Sequence, residues 1–162
     1  MISRFSEEGY SVGAIKHIHH KNFSIDKEGT NTWRYAQAGS KVVVAISPQE
    51  IDIIKKTERE LKDLDKIVAL LDKEKLDIVF IEGFHSLIAK RQDVAKIITA
   101  KDEAELERTL QGTTPPILAA TGLVAKKTNE HCFGEIPFIK VPEEGEKLIQ
   151  LIRSLLEKQS SN

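Results

Sequence analysis

The chain is poor in cysteine, in net charge and in long apolar runs, and each shortage excludes a class of function. Cys132 is the single cysteine among 162 residues. It cannot form an intramolecular disulfide and suits a reducing compartment. The 24 Lys and Arg residues nearly cancel the 25 Asp and Glu, leaving a formal charge of −1. Such a balance gives no global field to draw the chain onto nucleic acid or an anionic membrane. No apolar run approaches the roughly 20 residues that a membrane helix needs. The opening stretch MISRFSEEGY carries Glu7 and Glu8 and no apolar core, unlike a secretion signal. Internal repeats, linkers and low-complexity segments are missing as well. The expectation is a soluble cytoplasmic protein of one domain, residues 1–162, that buries about two-thirds of its unfolded surface.

What is there is an alternation of apolar runs with helical patterns, which predicts a three-layer α/β fold: a mostly parallel sheet flanked by helices. Ile2 to Glu8 reads as a helix stopped by Gly9, and Tyr10 to Ile18 as a strand. Lys21 to Thr32 is a polar loop, and Trp33 to Ala38 a short helix ending at Gly39. Lys41 to Ile46 (KVVVAI) has the pattern of a strand covered on both faces. Ser47-Pro48-Gln49-Glu50 has the form of a helix capping box, yet Ile51 and Ile53 flank Asp52 at strand spacing, and a strand is the preferred reading. Leu64, Ile67, Val68 and Leu71 repeat at helical spacing. Leu76 to Ile81 is a buried strand ending in Glu82-Gly83-Phe84, and a polar loop then leads to a further strand at Val94 to Ala100. Asp102 caps a helix that Gly112 ends. Ile117 to Val124 (ILAATGLV) and Phe138 to Val141 read as the last strands, Pro142 as the opening of the final helix, and Gln159 to Asn162 as a frayed tail.

Three stretches could carry chemistry. Lys16-His17-Ile18-His19-His20 leaves a strand with three of the five histidines in the chain. On a strand His17 and His19 point to one side and Lys16 to the other. Such a cluster serves as a polar strand end, as a pair of imidazole metal ligands, or as a site for phosphate or an anionic pterin with Lys16 supplying charge. Asp26-x-x-Gly29-Thr30-x-Thr32-x-Arg34 consists of ordinary turn residues. The same residues can present a carboxylate, two hydroxyls and a guanidinium to Mg²⁺ and phosphate. Glu82-Gly83 stands at the C-terminal end of the most apolar strand, the edge where ligands bind in parallel α/β sheets. There a carboxylate can hold Mg²⁺ and a glycine lets backbone approach phosphate, although a plain turn is the commoner meaning. His131-Cys132 lacks a partner at metal-ligand spacing and reads as loop or half-buried surface.

In this order the pieces resemble a known family. Ile15 to Ser40 (IKHIHHKNFSIDKEGTNTWRYAQAGS) and Asp77 to His85 (DIVFIEGFH) resemble the diagnostic stretches of the MobB family, the molybdopterin-guanine dinucleotide biosynthesis adaptors of the P-loop GTPase class. AKII at Ala95 to Ile98, ILAAT at Ile117 to Thr121 and IPFIKVPEEGEKLIQLI match its later elements more generically. The resemblance implies a P-loop NTPase-like domain that binds GTP with Mg²⁺ as a homodimer. It would assist the guanylyltransferase that attaches GMP to molybdopterin, with molybdopterin itself a further ligand and molybdoenzymes as further partners. Hydrolysis of GTP would be weak at most. Lys16, His17, His19 and His20 would lie at the active edge, and Asp26, Gly29, Thr30, Thr32 and Arg34 in a loop closing over the ligand. Glu82 would face the metal as catalytic carboxylate, beside Gly83.

The family's G-x-x-x-x-G-K-[ST] loop, which cradles phosphates, is not in the sequence. Met1 falls within the helix that follows that loop in the family, so the resemblance implies an N-terminal truncation relative to it. Asn31 stands where the family usually has Asp, His85 where it usually has Lys, and Gly122 near the expected position of a base-recognising Asp. Two alternatives accompany the adaptor reading: an interaction domain that has lost nucleotide binding, and a metal-delivery protein using His17 to His20.

Overall fold

The structure is a computed structural model that describes residues 1–20, 23–57 and 60–160. The start of the Lys21–Thr32 loop and the last two residues of the Gln159–Asn162 tail lie outside the described residues. The elements in order are α1 (Ile2–Glu7), β1 (Val12–Lys16), α2 (Asn31–Gln37), β2 (Val42–Ile46), β3 (Ile51–Lys55), α3 (Leu64–Val68), β4 (Ile78–Glu82) and α4 (His85–Ile88). Then follow β5 (Lys96–Thr99), α5 (Glu103–Gln111), β6 (Ile117–Thr121), α6 (Leu123–Lys127), β7 (Cys132–Phe133), β8 (Ile136–Pro137) and α7 (Gly145–Ser160). They form two compact units, residues 1–16 with 63–162, and residues 17–62.

The larger unit is built on two parallel strand pairs, β1 with β4 and β5 with β6. Helices cover both faces. Ile98 and Ala120 pack with Leu106 of α5 and with Val124 and Ala125 of α6. On the opposite side Ile97 and Leu118 join Val12, Ile78 and Phe80 around Phe5 of α1 and Ile149 and Ile152 of α7. A bulge allows this division. The register slips between Lys96 and Ile97, so Leu118 has no partner across the ladder and Leu118 and Ala119 both serve the α7 side. The result is the expected three-layer α/β fold.

The cap and stop of α5 and the glycine stop of α1 are where the sequence placed them. Asp102 accepts from the Glu105 N–H at 2.9 Å, and Glu105 returns the bond to the Lys101 N–H at 2.8 Å. Gly9 takes φ +91 just beyond α1. Several boundaries differ. ILAATGLV is strand only through Thr121, because Gly122 turns the chain at φ +91 and α6 starts at Leu123. His131-Cys132 is not loop throughout: Cys132 and Phe133 pair antiparallel with Pro137 and Ile136. The last strand is correspondingly displaced, since β8 holds Ile136 and Pro137 and only Phe138 bridges to Ala120 of β6. Pro142 does not open α7. Hydrogen bonds from Glu144 N–H to Lys140 O (2.6 Å) and from Gly145 N–H to Pro142 O (2.9 Å) close turns first. The loop after Phe84 contains the one-turn helix α4.

The smaller unit overturns one expectation. KVVVAI is not covered on both faces. β2 pairs antiparallel with β3 as a two-stranded ribbon, and Val42, Val44, Ile46, Ile51 and Ile53 are exposed on one side of it. The cause lies in Ser47 to Glu50. The Ser47 hydroxyl accepts the Glu50 N–H at 3.0 Å as a helix cap would, but the Ser47 N–H donates to Glu50 O at 2.8 Å and closes a hairpin instead. The preferred strand reading at Ile51 is correct.

Candidate functional site

β1 and β4 run in register to their last pair, Lys16 opposite Glu82. Both side chains therefore emerge at the C-terminal edge of neighbouring parallel strands, where the Lys16 ammonium donates to Glu82 Oε1. The pair is open to solvent, with side chains 59% and 73% exposed, so it adds little to stability. Its charges remain available to a ligand. Beyond it the backbone is held in an unusual shape, Gly83 at φ +88 and Phe84 at φ +55. Glycine adopts this region at no steric cost, whereas a bulky residue such as Phe gives up roughly 1–2 kcal/mol. Strain of this kind collects at ligand-binding turns.

The C-terminal ends of β5 and β6 form a second polar edge. The hydroxyls of Thr99 and Thr121 are 3.1 Å apart, and Lys101, Glu105, Gly122 and Lys126 complete a shallow groove of about 400 Å³. None of Thr99, Thr121, Lys101 or Lys126 was marked by the sequence reading. The available signal was their position just at or past strand ends.

In the smaller unit the Asp26 loop is a closed hydrogen-bonded cluster. Asp26 Oδ1 accepts from Thr32 at 2.8 Å and faces the Thr30 hydroxyl at 3.2 Å, while Thr30 Oγ1 also accepts the Trp33 N–H at 3.3 Å and so caps α2. Asp26 Oδ2 is buried without a hydrogen-bond partner among the described residues. A buried carboxylate oxygen left this way calls for a donor or a cation. Gly29 supplies the left-handed turn at φ +87. Arg34 lies exposed on α2.

The histidines do not lie on a strand, because β1 ends at Lys16. His17 and His19 nevertheless stack edge to face with ring centroids 4.1 Å apart, and His17 Nε2 lies 3.7 Å from Glu60 Oε1. The His20 carbonyl accepts the Phe23 N–H at 3.1 Å. Among the described residues no group of three or more His, Cys, Asp or Glu is arranged to hold a metal ion. The structure thus brings together Lys16 with Glu82, Asp26 with Thr30 and Thr32, and His17 with His19.

The family model described as "Molybdopterin guanine dinucleotide synthesis protein B" matches residues 1–121. The chain belongs to the MobB family. Its similarity to the molybdopterin-guanine dinucleotide biosynthesis adapter protein of Escherichia coli K12 is 30% identity over 105 residues, 64% of this chain and 57% of that protein. The adapter protein of the same name in Haemophilus influenzae is 34% identical over 92 residues, 57% of this chain and 48% of its own length. The chain therefore spans about half the length of these relatives. Among solved structures, Bacillus subtilis MobB superposes with a TM-score of 0.68 at 20% identity, over 93% of this chain and 83% of that one. A MobB homologue from Bacillus stearothermophilus gives 0.65 at 16% identity, over 97% and 85%. At those identities the likeness establishes the MobB fold. Among the described residues no helix is long and apolar enough to cross a membrane.

Proposed function

We propose that this chain is a GTP-binding adaptor in molybdopterin-guanine dinucleotide biosynthesis, assisting the enzyme that attaches GMP to molybdopterin. The observation that carries the reading is the Lys16–Glu82 pair at the C-terminal edge of adjacent parallel strands, followed by the left-handed Gly83-Phe84 turn. Family membership gives the pathway, and the adapter names of the relatives give the role.

The donor set suits Mg²⁺, which takes hard oxygen ligands and keeps several waters. Glu82 offers an exposed carboxylate, and Asp26 a buried oxygen with no partner among the described residues. Glu82 would hold the ion, whose charge would offset that of the nucleotide phosphates, and Asp26 is a second candidate oxygen ligand within its own unit. Lys16 would balance phosphate charge and hold the Glu82 carboxylate in place. Thr30 and Thr32 would fix the Asp26 rotamer, and Arg34 would be available to phosphate as a planar fork of donors. His17, His19 and His20 would frame the anionic ligand, molybdopterin included. Gly29 and Gly83 would allow close backbone approach. The reading takes residues 1–162 as part of one P-loop-type domain acting in the cytoplasm. A homodimer is part of it, and the aliphatic ribbon face of β2 and β3 supplies the apolar surface such a dimer would bury.

The test is calorimetric titration of GTP and ATP with Mg²⁺. It uses the 162-residue chain and the chain preceded by the family's strand and G-x-x-x-x-G-K-[ST] segment. The reading expects Mg²⁺-dependent binding of GTP by the longer form, weakened at least tenfold by Glu82→Gln. Tight binding of ATP but not GTP would refute it, as would GTP binding indifferent to Glu82.

A further inference from the structure

Lys96 is a buried cation, 4% exposed, at the amino end of β5. We propose, resting on the nucleotide reading of the Glu82 edge, that Lys96 is a positioning residue for it. Through the loop between α4 and β5 it holds the Gly83–Phe84 turn, and with it Glu82, in the shape that meets a ligand. The reason lies in the strain of that turn. Phe84 sits at φ +55, and a bulky residue stays in left-handed space only where its surroundings leave no alternative. Gly83 before it, at φ +88, gives little hold of its own. The restraint comes from the chain beyond.

A continuous run of hydrogen bonds supplies it. Phe84 O accepts the Leu87 and Ile88 N–H groups at 2.8 and 3.1 Å, and Ile88 O accepts the Arg91 N–H at 3.0 Å. Arg91 O then accepts the Lys96 ammonium, which also donates to Val94 O at 2.8 Å. Lys96 is itself fixed to the sheet, since its backbone N–H donates to Pro116 O at 3.0 Å. The same loop is tied down elsewhere. Ala89 O accepts the Thr114 N–H at 2.8 Å, and the Arg91 guanidinium grips Asp93 at 2.6 and 2.7 Å and Asp65 at 2.9 Å. Burial pushes the Lys96 ammonium below the ordinary lysine range, with the Asp93 carboxylate opposing. An apolar side chain would fill the place without that penalty. What the ammonium adds is its hold on the Arg91 and Val94 carbonyls.

Amide hydrogen exchange on the 162-residue chain tests this hold. Lys96→Met keeps the length of the side chain and removes its donors. It should speed exchange at Leu87 and Ile88, whose N–H groups bond Phe84 O, about tenfold more than at Leu106 and Val124, which report on the core. Arg91→Met leaves the ammonium in place and loosens the same loop from outside the core. It should raise Leu87 and Ile88 about threefold, a readout that remains even if Lys96→Met does not fold. Phe84→Gly relieves the strain, and in that background Lys96→Met should lose most of its effect on these amides, whereas a merely structural lysine would keep it. In the longer form, GTP affinity with Mg²⁺ should fall about tenfold in Lys96→Met and recover when Phe84→Gly is added. If that form binds no GTP, the nucleotide reading fails, while exchange still decides the role of Lys96 in the turn. Exchange raised equally at turn and core, or not raised in either variant, would overturn the proposal. So would an effect of Lys96→Met undiminished by Phe84→Gly.

Discussion

Gly122 is the position where a single methyl group should do most damage for its size. The residue sits at φ +91 and ψ −156, backbone space that is essentially glycine's alone, and a side chain there costs roughly 1–3 kcal/mol. A Cβ would also stand 2.6 Å from Ala100 O, 3.0 Å from Thr99 Cγ2 and 3.2 Å from Ala100 N. The carbonyl cannot withdraw freely, because it accepts the Val124 N–H at 3.1 Å, and the Ala100 N–H is committed to Thr121 O at 3.1 Å. Giving up one such bond costs about 1 kcal/mol. Together the backbone strain and the displaced carbonyl put Gly122→Ala at about 3–5 kcal/mol, against a total stability of roughly 5–15 kcal/mol for a domain. Two controls separate the causes. Gly9 shares φ +91 but has open space around it, so Gly9→Ala should cost only about 1–2 kcal/mol. Gly112, at φ −104 with nothing within 4 Å, should change by less than about 0.5 kcal/mol. Urea denaturation of the three variants, with unchanged m-values, reads these differences directly. If Gly122→Ala costs no more than Gly9→Ala, the close approach of β5 and β6 at their C-terminal ends is not as described.

Three further outcomes are expected. Thr30→Ala removes the cap of α2 together with a hydroxyl beside Asp26, and should cost about 1 kcal/mol in urea denaturation, largely restored by Thr30→Ser; no loss would mean that the cap does not form. The Arg91 guanidinium holds the Asp93 carboxyl down to about 2. Because that folded value lies below the ordinary one, the stabilisation is present above about pH 4 and is lost as pH falls through 2. Arg91→Met should therefore flatten the fall of Tm between pH 4 and 2, and an unchanged slope would dismiss the pair as the cause. Ile46→Lys with Ile53→Lys places charge on two exposed positions of the ribbon, so the fold should survive. If the proposed homodimer forms through this face, concentration-dependent association in sedimentation should disappear; association that persists would refute the ribbon as its surface.

Much of the molecule was legible before any coordinates. Asp102, Glu105 and Gly112 bound a helix because capping uses groups within a few residues of one another, and Leu76 to Ile81 announced a strand by composition, though its side chains are half-buried and not buried as expected. The family itself was written in Ile15 to Ser40 and Asp77 to His85. KVVVAI was read as a strand correctly and as a buried one wrongly. Burial depends on what lies across the strand, and the Ser47–Glu50 turn returned the chain as a ribbon with one face open. Ser47 could serve a helix or a hairpin equally well, and only the direction of the Glu50 carbonyl settled which.

The residue types at the candidate site were determined by sequence, but their grouping was not. That Lys16 meets Glu82 follows from the register of two strands 66 residues apart, a long-range pairing that no local pattern encodes. The Asp26 cluster is different: Thr30 and Thr32 lie within six residues of the aspartate, so turn chemistry already pointed to it. Its buried oxygen could be recognised only in three dimensions. Local hydrogen-bonding chemistry thus determined the elements and the lineage. Tertiary packing decided which charges meet, which faces stay open and where a ligand could lie.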